Sequence, residues 1–164
     1  RSVMLFFVGA PLSPECCFKL IDQIKTLPMR IKHITDVTQK VTTMLQSNDL
    51  VSDDMCYPGA ASHPDHDIAT RYNLRGGPVL FFSLKDNSLN KAQQFISALK
   101  LIEHAVSIGG GKSLVTLPSV TTHLHVPENE RKKLGLMAST MRLSLGLEDS
   151  EDILADIEQA LRSL

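Results

Sequence analysis

In the segment MRLSLGLE, residues 141–148, apolar Met141, Leu143, Leu145 and Leu147 alternate with Arg142, Ser144, Gly146 and Glu148. A period of two predicts a strand with one face on a core and the polar set on the other. Elsewhere the period lengthens. Leu89, Ala92, Phe95, Ile96, Leu99 and Ile102 recur at helical steps, as do Ile153, Leu154, Ile157, Ala160 and Leu161, so both stretches predict amphipathic helices. The second opens at EDSED, where acids suit the positive end of the helix dipole. Two helices are expected upstream: one over 13–26 with Phe18, Leu20, Ile21, Ile24 and Leu27 as its apolar stripe, and one from Pro28 carrying Ile34, Val37, Val41, Met44 and Leu45. In SHPDHDIATRYN, residues 62–73, Ser62 is the expected cap and Pro64 the first-turn residue of a further helix. PENERKKLG, residues 127–135, reads as one polar helical turn closed by Gly135.

The apolar run GGPVLFFSL, residues 76–84, predicts a buried strand, and HAVSIGG (104–110) and SLVTLP (113–118) are short strand candidates. Helices and strands therefore alternate. The economical assembly is α/β: a sheet of about four strands covered by helices.

Composition narrows the function classes. The chain has 164 residues, enough for one sizeable core, and its 17 basic and 18 acidic side chains leave a net charge of −1. With no basic run, no Trp and two Tyr, a nucleic-acid partner is not expected. Three cysteines, two of them the adjacent Cys16 and Cys17, make no even disulfide framework, and a reducing cytoplasm is the expected location. The opening SVMLFFVGAP is too short to span a bilayer and lacks the basic flank of a signal peptide, so no membrane partner is expected. A start on Arg1 inside an apolar run is what a piece of a longer protein would show.

Several stretches offer chemistry. SIGGGKSL, residues 107–114, resembles the end of a phosphate loop, but the glycine that signature needs falls on Val106 and the following SLVTLP is not helical. A strand end followed by a glycine turn is expected there instead. His63 and His66 stand with Asp65 and Asp67, yet a third convincing metal ligand is missing and helix capping explains the cluster. His123 and His125 alternate like strand residues, so no metal is expected at either pair. Cys16 and Cys17 lie early in a helix beside Glu15, which disfavours a thiolate, and buried packing is their expected role. Arg142 has two readings, a solvated cation on an outer strand face or a planar fork held for a carboxylate. Spacing leaves both open.

The motifs YPGAASHPDHDIA, RGGPVLFFSL, AVSIGGGKSL, LPSVTTH, ERKKLG and MRLSLGLEDSEDILADIEQAL follow one another in an order and spacing that resembles the C-terminal domain of the pyridoxal-phosphate-dependent cysteine and methionine metabolism enzymes. That family includes cystathionine gamma-synthase, cystathionine gamma-lyase, methionine gamma-lyase and the O-acetylhomoserine sulfhydrylases. The resemblance extends upstream through LSPECCFKLIDQIKTLPMRI and covers nearly the whole chain. It implies the small C-terminal domain of a fold-type I subunit, with a mostly antiparallel sheet. Residues 1–50 would be interdomain helices and 51–164 the substrate-side domain.

The resemblance further implies that pyridoxal 5'-phosphate is bound by a large domain outside these residues. No position matches the family's Schiff-base lysine motif, so no catalytic residue is assigned in this segment, which alone would be inactive. Arg142 matches the arginine that binds the substrate's α-carboxylate, Ser107 a serine beside that carboxylate, and Thr122 a threonine close to the active site. The implied reaction is γ-elimination or γ-replacement on a sulfur-containing or acyl-homoserine amino acid, in a homo-oligomer, a tetramer. The alternative is a drifted, noncatalytic association module of the same fold. Val106 stands where cystathionine-handling members often have Glu, and Lys112 where many members have Glu. Asp22 and Gln23 replace a usual Arg-Gly, Val37 a usual Asn, and Ala138 and Ser139 a common Asp-Gly.

Overall fold

A computed structural model describes residue 9 and residues 11–72 and 75–164. Most of the opening apolar run, residues 2–8 and 10, lies outside the described residues. The chain divides into two compact units, Arg1–Lys32 and His33–Leu164.

In the first unit, helix α1 (Pro14–Ile24) starts where Ser13 Oγ accepts the Cys16 amide at 3.2 Å, with Pro14 in the first turn. The apolar stripe expected from the sequence is present, but Phe18, Ile21 and Ile24 are exposed. Cys16 is exposed too and Cys17 is half-buried, which corrects the expectation of buried packing. Helical phase places both cysteines correctly, but α1 has no buried residue for them to pack beside. Helix α2 (Leu27–Gln46) begins here, and Arg30 braces the turn before it by donating to Gln23 O at 2.9 Å and Thr26 Oγ1 at 3.3 Å.

The second unit holds the rest of α2 and the sheet. On α2 the residues Ile34, Val37, Val41 and Leu45 are buried as the helical period predicts. Thr38 and Thr42 share that face, because each hydroxyl donates to the carbonyl four residues back, at 2.7 and 2.8 Å. Helix α3 (His66–Arg71) starts later than expected, with Asp65 rather than Ser62 at its N-cap. The reason is a series of turns through 60–66, closed by His63 N–H to Ala60 O and His66 N–H to His63 O.

Strands β1 (Val79–Phe82), β2 (Glu103–His104), β3 (Leu114–Thr116) and β4 (Met141–Ser144) form one sheet in the order β1-β4-β3-β2. β4 pairs antiparallel with both neighbours and β2 parallel with β3, so the sheet is mixed and mostly antiparallel, as expected. Leu80, Phe82, Val115, Met141 and Leu143 are buried on one face. Helices α4 (Leu89–Ala98) and α6 (Ser150–Leu161) contribute Phe95, Ile153 and Ile157 to the same core, where Phe82 and Phe95 meet edge to face at 5.8 Å.

Two turns set the loop lengths around the sheet. Asp156 of α6, 7% exposed, accepts the amides of Lys100, Leu101 and Ile102 at 2.8, 2.9 and 3.0 Å, ending α4 and aiming the chain into β2. Before β1, the buried Tyr57 hydroxyl donates to Arg75 O and Gly77 O, both at 3.3 Å. Gly76 fits against it because its φ is +89° and a Cβ there would lie 2.7 Å from both the ring and Gly59 N.

Two strand readings are corrected. Of HAVSIGG only His104, the last residue of β2, lies in a strand. After Ala105, whose amide still reaches Val115 O at 3.0 Å, the carbonyls of Val106 and Ser107 turn to a side chain and leave the ladder. TTHLHV is not a strand. It follows a 3-10 turn (Pro118–Val120) and folds back through His123 N–H to Pro118 O at 2.9 Å. Helix α5 (Glu128–Lys133) is the polar turn expected, closed by Gly135 at φ +73°.

Candidate substrate-carboxylate site

The sheet face opposite the core carries Arg142. Across β4 it is in register with Phe81 of β1 and with Thr116 of β3, so an aromatic ring and a hydroxyl flank it on the same face. Its neighbours Met141 and Leu143 point into the core and fix its backbone. Arg142 itself is half-buried.

Its guanidinium is held from one side. Nη2 donates to Val106 O at 2.9 Å and to Ser107 O at 3.0 Å, while Nε is buried with no hydrogen-bond partner. Leaving that N–H unpaired costs on the order of 1–3 kcal/mol, and Nη1, without a hydrogen-bond partner among the described residues, is the donor left for an incoming acceptor. Burial lowers the arginine pKa from its usual value, but an arginine stays charged at neutral pH. The arrangement is a rigid planar cation, oriented by two carbonyls, with donor capacity to spare. Such a fork suits a carboxylate better than a spherical anion.

Ser107 is therefore beside Arg142, but through its backbone carbonyl; its side chain is exposed. Thr122 lies in the turn after the 3-10 helix, exposed, with Oγ1 2.9 Å from His123 Nδ1. Among the described residues no hydrogen bond joins it to Arg142. The preceding Thr121 reaches further in: its Oγ1 lies 3.0 Å from Thr116 Oγ1, the hydroxyl opposite Arg142, and donates to Leu117 O at 2.9 Å.

The profile of the Cys/Met metabolism PLP-dependent enzyme family matches residues 3–162. The chain belongs to that family. This family chain is 40% identical over 154 residues to a cystathionine gamma-lyase of Dictyostelium discoideum, covering 94% of the chain and 39% of that protein. It is 38% identical over 156 residues to an L-methionine gamma-lyase of Pseudomonas deceptionensis, covering 95% of the chain and 39% of the relative. A solved O-acetylhomoserine (thiol)-lyase of Campylobacter jejuni carrying N'-pyridoxyl-lysine-5'-monophosphate superposes with a TM-score of 0.86 at 31% identity, covering 99% of the chain and 39% of the other. A Lactobacillus plantarum cystathionine gamma-lyase complexed with L-serine gives 0.83 at 32% identity, covering 95% of the chain and 40% of the other. The chain thus spans about two-fifths of the length of the relatives it matches.

Within this family member, the other sequence candidates have local partners. His63 Nδ1 accepts the Asp65 amide at 3.1 Å, and His66 lies 3.3 Å from Pro58 O and 3.4 Å from Thr70 Oγ1. Among the described residues no group of three His, Cys, Asp or Glu could hold a metal ion, and no helix is long and apolar enough to cross a membrane. Lys112 pairs with Glu103, whose hydrogen bond raises the lysine pKa.

Sequence reasoning missed Thr116, Ser113 and Glu148. Glu148 was read as an outward position of the alternating strand and as the first acid of EDSED, yet its carboxylate accepts the Ser113 amide at 2.7 Å and the Ser113 hydroxyl at 2.8 Å. The one local hint was Gly146 two residues earlier, a glycine in an otherwise strand-like stretch, which marks close backbone approach.

Proposed function

We propose that this chain is the substrate-side part of a pyridoxal-phosphate-dependent lyase or transferase of sulfur amino acids, catalysing elimination or replacement at the γ carbon. Its task is to bind the α-carboxylate of the amino acid through Arg142. The observation that carries this reading is a half-buried guanidinium fixed at Nη2 by two carbonyls, whose Nη1 has no hydrogen-bond partner among the described residues. A carboxylate set against it gains charge-assisted hydrogen bonds without any need to reorder the arginine, and that orientation is where such binding aids a reaction.

The residues present fit the substrate's anion and not the cofactor. The glycine turn makes no phosphate cradle, because the Gly109 amide is committed to Ser144 Oγ at 3.3 Å and Lys112 to Glu103. The aldehyde and phosphate of pyridoxal phosphate are accordingly left to the part of the protein outside these residues, and no catalytic step is assigned to this chain. Ser107 and Thr122 line the approach to the carboxylate, Ser107 with its carbonyl on Arg142 and its exposed hydroxyl toward the ligand. Val106, 56% exposed and apolar, favours a thioether or acyl chain over a second charged amino-acid end. The assembly is a homo-oligomer, a tetramer, working in the cytoplasm.

The test is a spectrum of the full-length, cofactor-loaded protein titrated with L-methionine, cystathionine and O-acetylhomoserine. A change in the cofactor's visible band with at least one of them supports the reading. No change with any, in protein that holds the cofactor, supports a noncatalytic association module instead.

A further inference from the structure

The two carbonyls that orient Arg142 belong to a segment with little structure of its own. Residues 106–112 are exposed, and three of the seven are glycine, the residue with most conformational freedom to lose. Something else must hold them. At the far end of the segment Glu148 accepts both the amide and the hydroxyl of the fully buried Ser113, at 2.7 and 2.8 Å. Ser113 Oγ in turn accepts the Gly146 amide at 2.8 Å. Two more bonds join the same two segments, Leu147 N–H to Gly111 O at 2.9 Å and Gly109 N–H to Ser144 Oγ at 3.3 Å. Gly146 permits the approach, since a Cβ there would lie 2.5 Å from both Gly111 O and Lys112 C.

Four of the anchors, Ser144, Gly146, Leu147 and Glu148, follow Arg142 on the same strand and its exit, while the exposed Lys112 pairs with Glu103 before the loop. The loop that aims the guanidinium is thereby tied to the strand that carries it. We propose that Glu148, acting through Ser113, is a positioning residue that fixes the 106–112 loop and so the orientation of Arg142 for an α-carboxylate. This rests on the carboxylate reading of Arg142. Of the five bonds, the two to Glu148 are the charge-assisted ones, made at a buried serine where water competes least, so they dominate the clasp.

The experiment compares Glu148→Ala, Ser113→Ala and Arg142→Ala in the full-length, cofactor-loaded protein by two readouts: amide hydrogen exchange at Gly109 and Leu147, and equilibrium binding of L-methionine against L-methioninamide, which lacks the carboxylate. Glu148→Ala and Ser113→Ala are expected to speed loop exchange and to weaken L-methionine binding about tenfold, the equivalent of one lost charge-assisted bond, with L-methioninamide changed by less than about twofold. Ser113→Ala guards against a Glu148 variant that fails to fold. Unchanged loop exchange, or equal weakening of both ligands, overturns the proposal. If Arg142→Ala abolishes the preference for L-methionine while Glu148→Ala and Ser113→Ala keep it, the positioning role alone falls. If Arg142→Ala keeps the preference, the carboxylate reading falls and takes the clasp with it.

Discussion

Arg142 Nη2 lies 3.0 Å from the backbone carbonyl of Ser107, and no side-chain atom of Ser107 takes part in that bond. The distinction matters for mutation. A carbonyl survives any side-chain replacement, so Ser107→Ala leaves Arg142 held. The variant is expected to melt within about 0.5 kcal/mol of the parent, as exposed substitutions do. A rise in KM at unchanged stability then reports the hydroxyl's contact with the ligand, and a large loss of stability contradicts the geometry.

Asp156 holds three consecutive backbone amides with one carboxylate at the end of α4, in a site only 7% exposed. Asp156→Ala leaves those amides without their acceptor and is expected to destabilise by about 3 kcal/mol. Denaturant unfolding measures it. A loss below about 0.5 kcal/mol would mean that water or the backbone replaces the carboxylate.

Much of this fold was legible in the chain, and the exceptions have physical causes. Period two placed β4 and period 3.6 placed α2, α4 and α6, because a buried face is written directly into the residues that form it. Helix α4 nonetheless ends at Ala98, before the Leu99 and Ile102 of the expected stripe, where Asp156 takes the next amides. The apolar stripe of α1 was equally clear, but whether a stripe is buried depends on what lies against it and not on the stripe. HAVSIGG has strand composition, yet β2 stops after His104 because Arg142, 36 residues past Val106, captures the carbonyls that a ladder would use. Arg142 itself was visible as a polar position inside an apolar alternation. Its unpaired Nε and the Ser113–Glu148 clasp were not, since both are made by residues distant in sequence. That Thr121 and not Thr122 meets Thr116 was equally hidden, because adjacent threonines differ only in which way the turn points them.

Gly76 is held by two constraints at once, a left-handed φ of +89° and a backbone atom 2.7 Å from where a Cβ would be. Gly76→Ala is therefore expected to cost about 2–3 kcal/mol, combining φ strain with a displaced Tyr57 ring. Thermal melting at neutral pH gives the value. A variant as stable as the parent would show that the Tyr57 corner can relax freely.

Tyr57 also predicts a pH dependence. Burial, reinforced by the charge of Asp36, pushes its pKa up to about 12 from an ordinary 10. A raised folded-state pKa means that the folded chain keeps its proton longer than the unfolded one. The stabilisation is complete below about pH 10 and is lost progressively as pH rises from there to about 12, by roughly 2–3 kcal/mol. Tyr57→Phe starts less stable, having lost the bonds to Arg75 O and Gly77 O, and its stability should be flatter across that window. Unfolding free energies measured from pH 9 to 12 compare the two. Parallel curves would contradict the shift.

The account turns on Arg142, and one measurement reaches it most directly: kcat/KM of Arg142→Ala and Arg142→Lys in the full-length protein on the best of the proposed sulfur amino-acid substrates. Loss of the fork should lower kcat/KM by about a hundredfold or more in the alanine variant, and the lysine variant should recover only part, since a point charge cannot bind both carboxylate oxygens in one plane. An Arg142→Ala enzyme with unchanged kcat/KM would contradict the carboxylate site altogether.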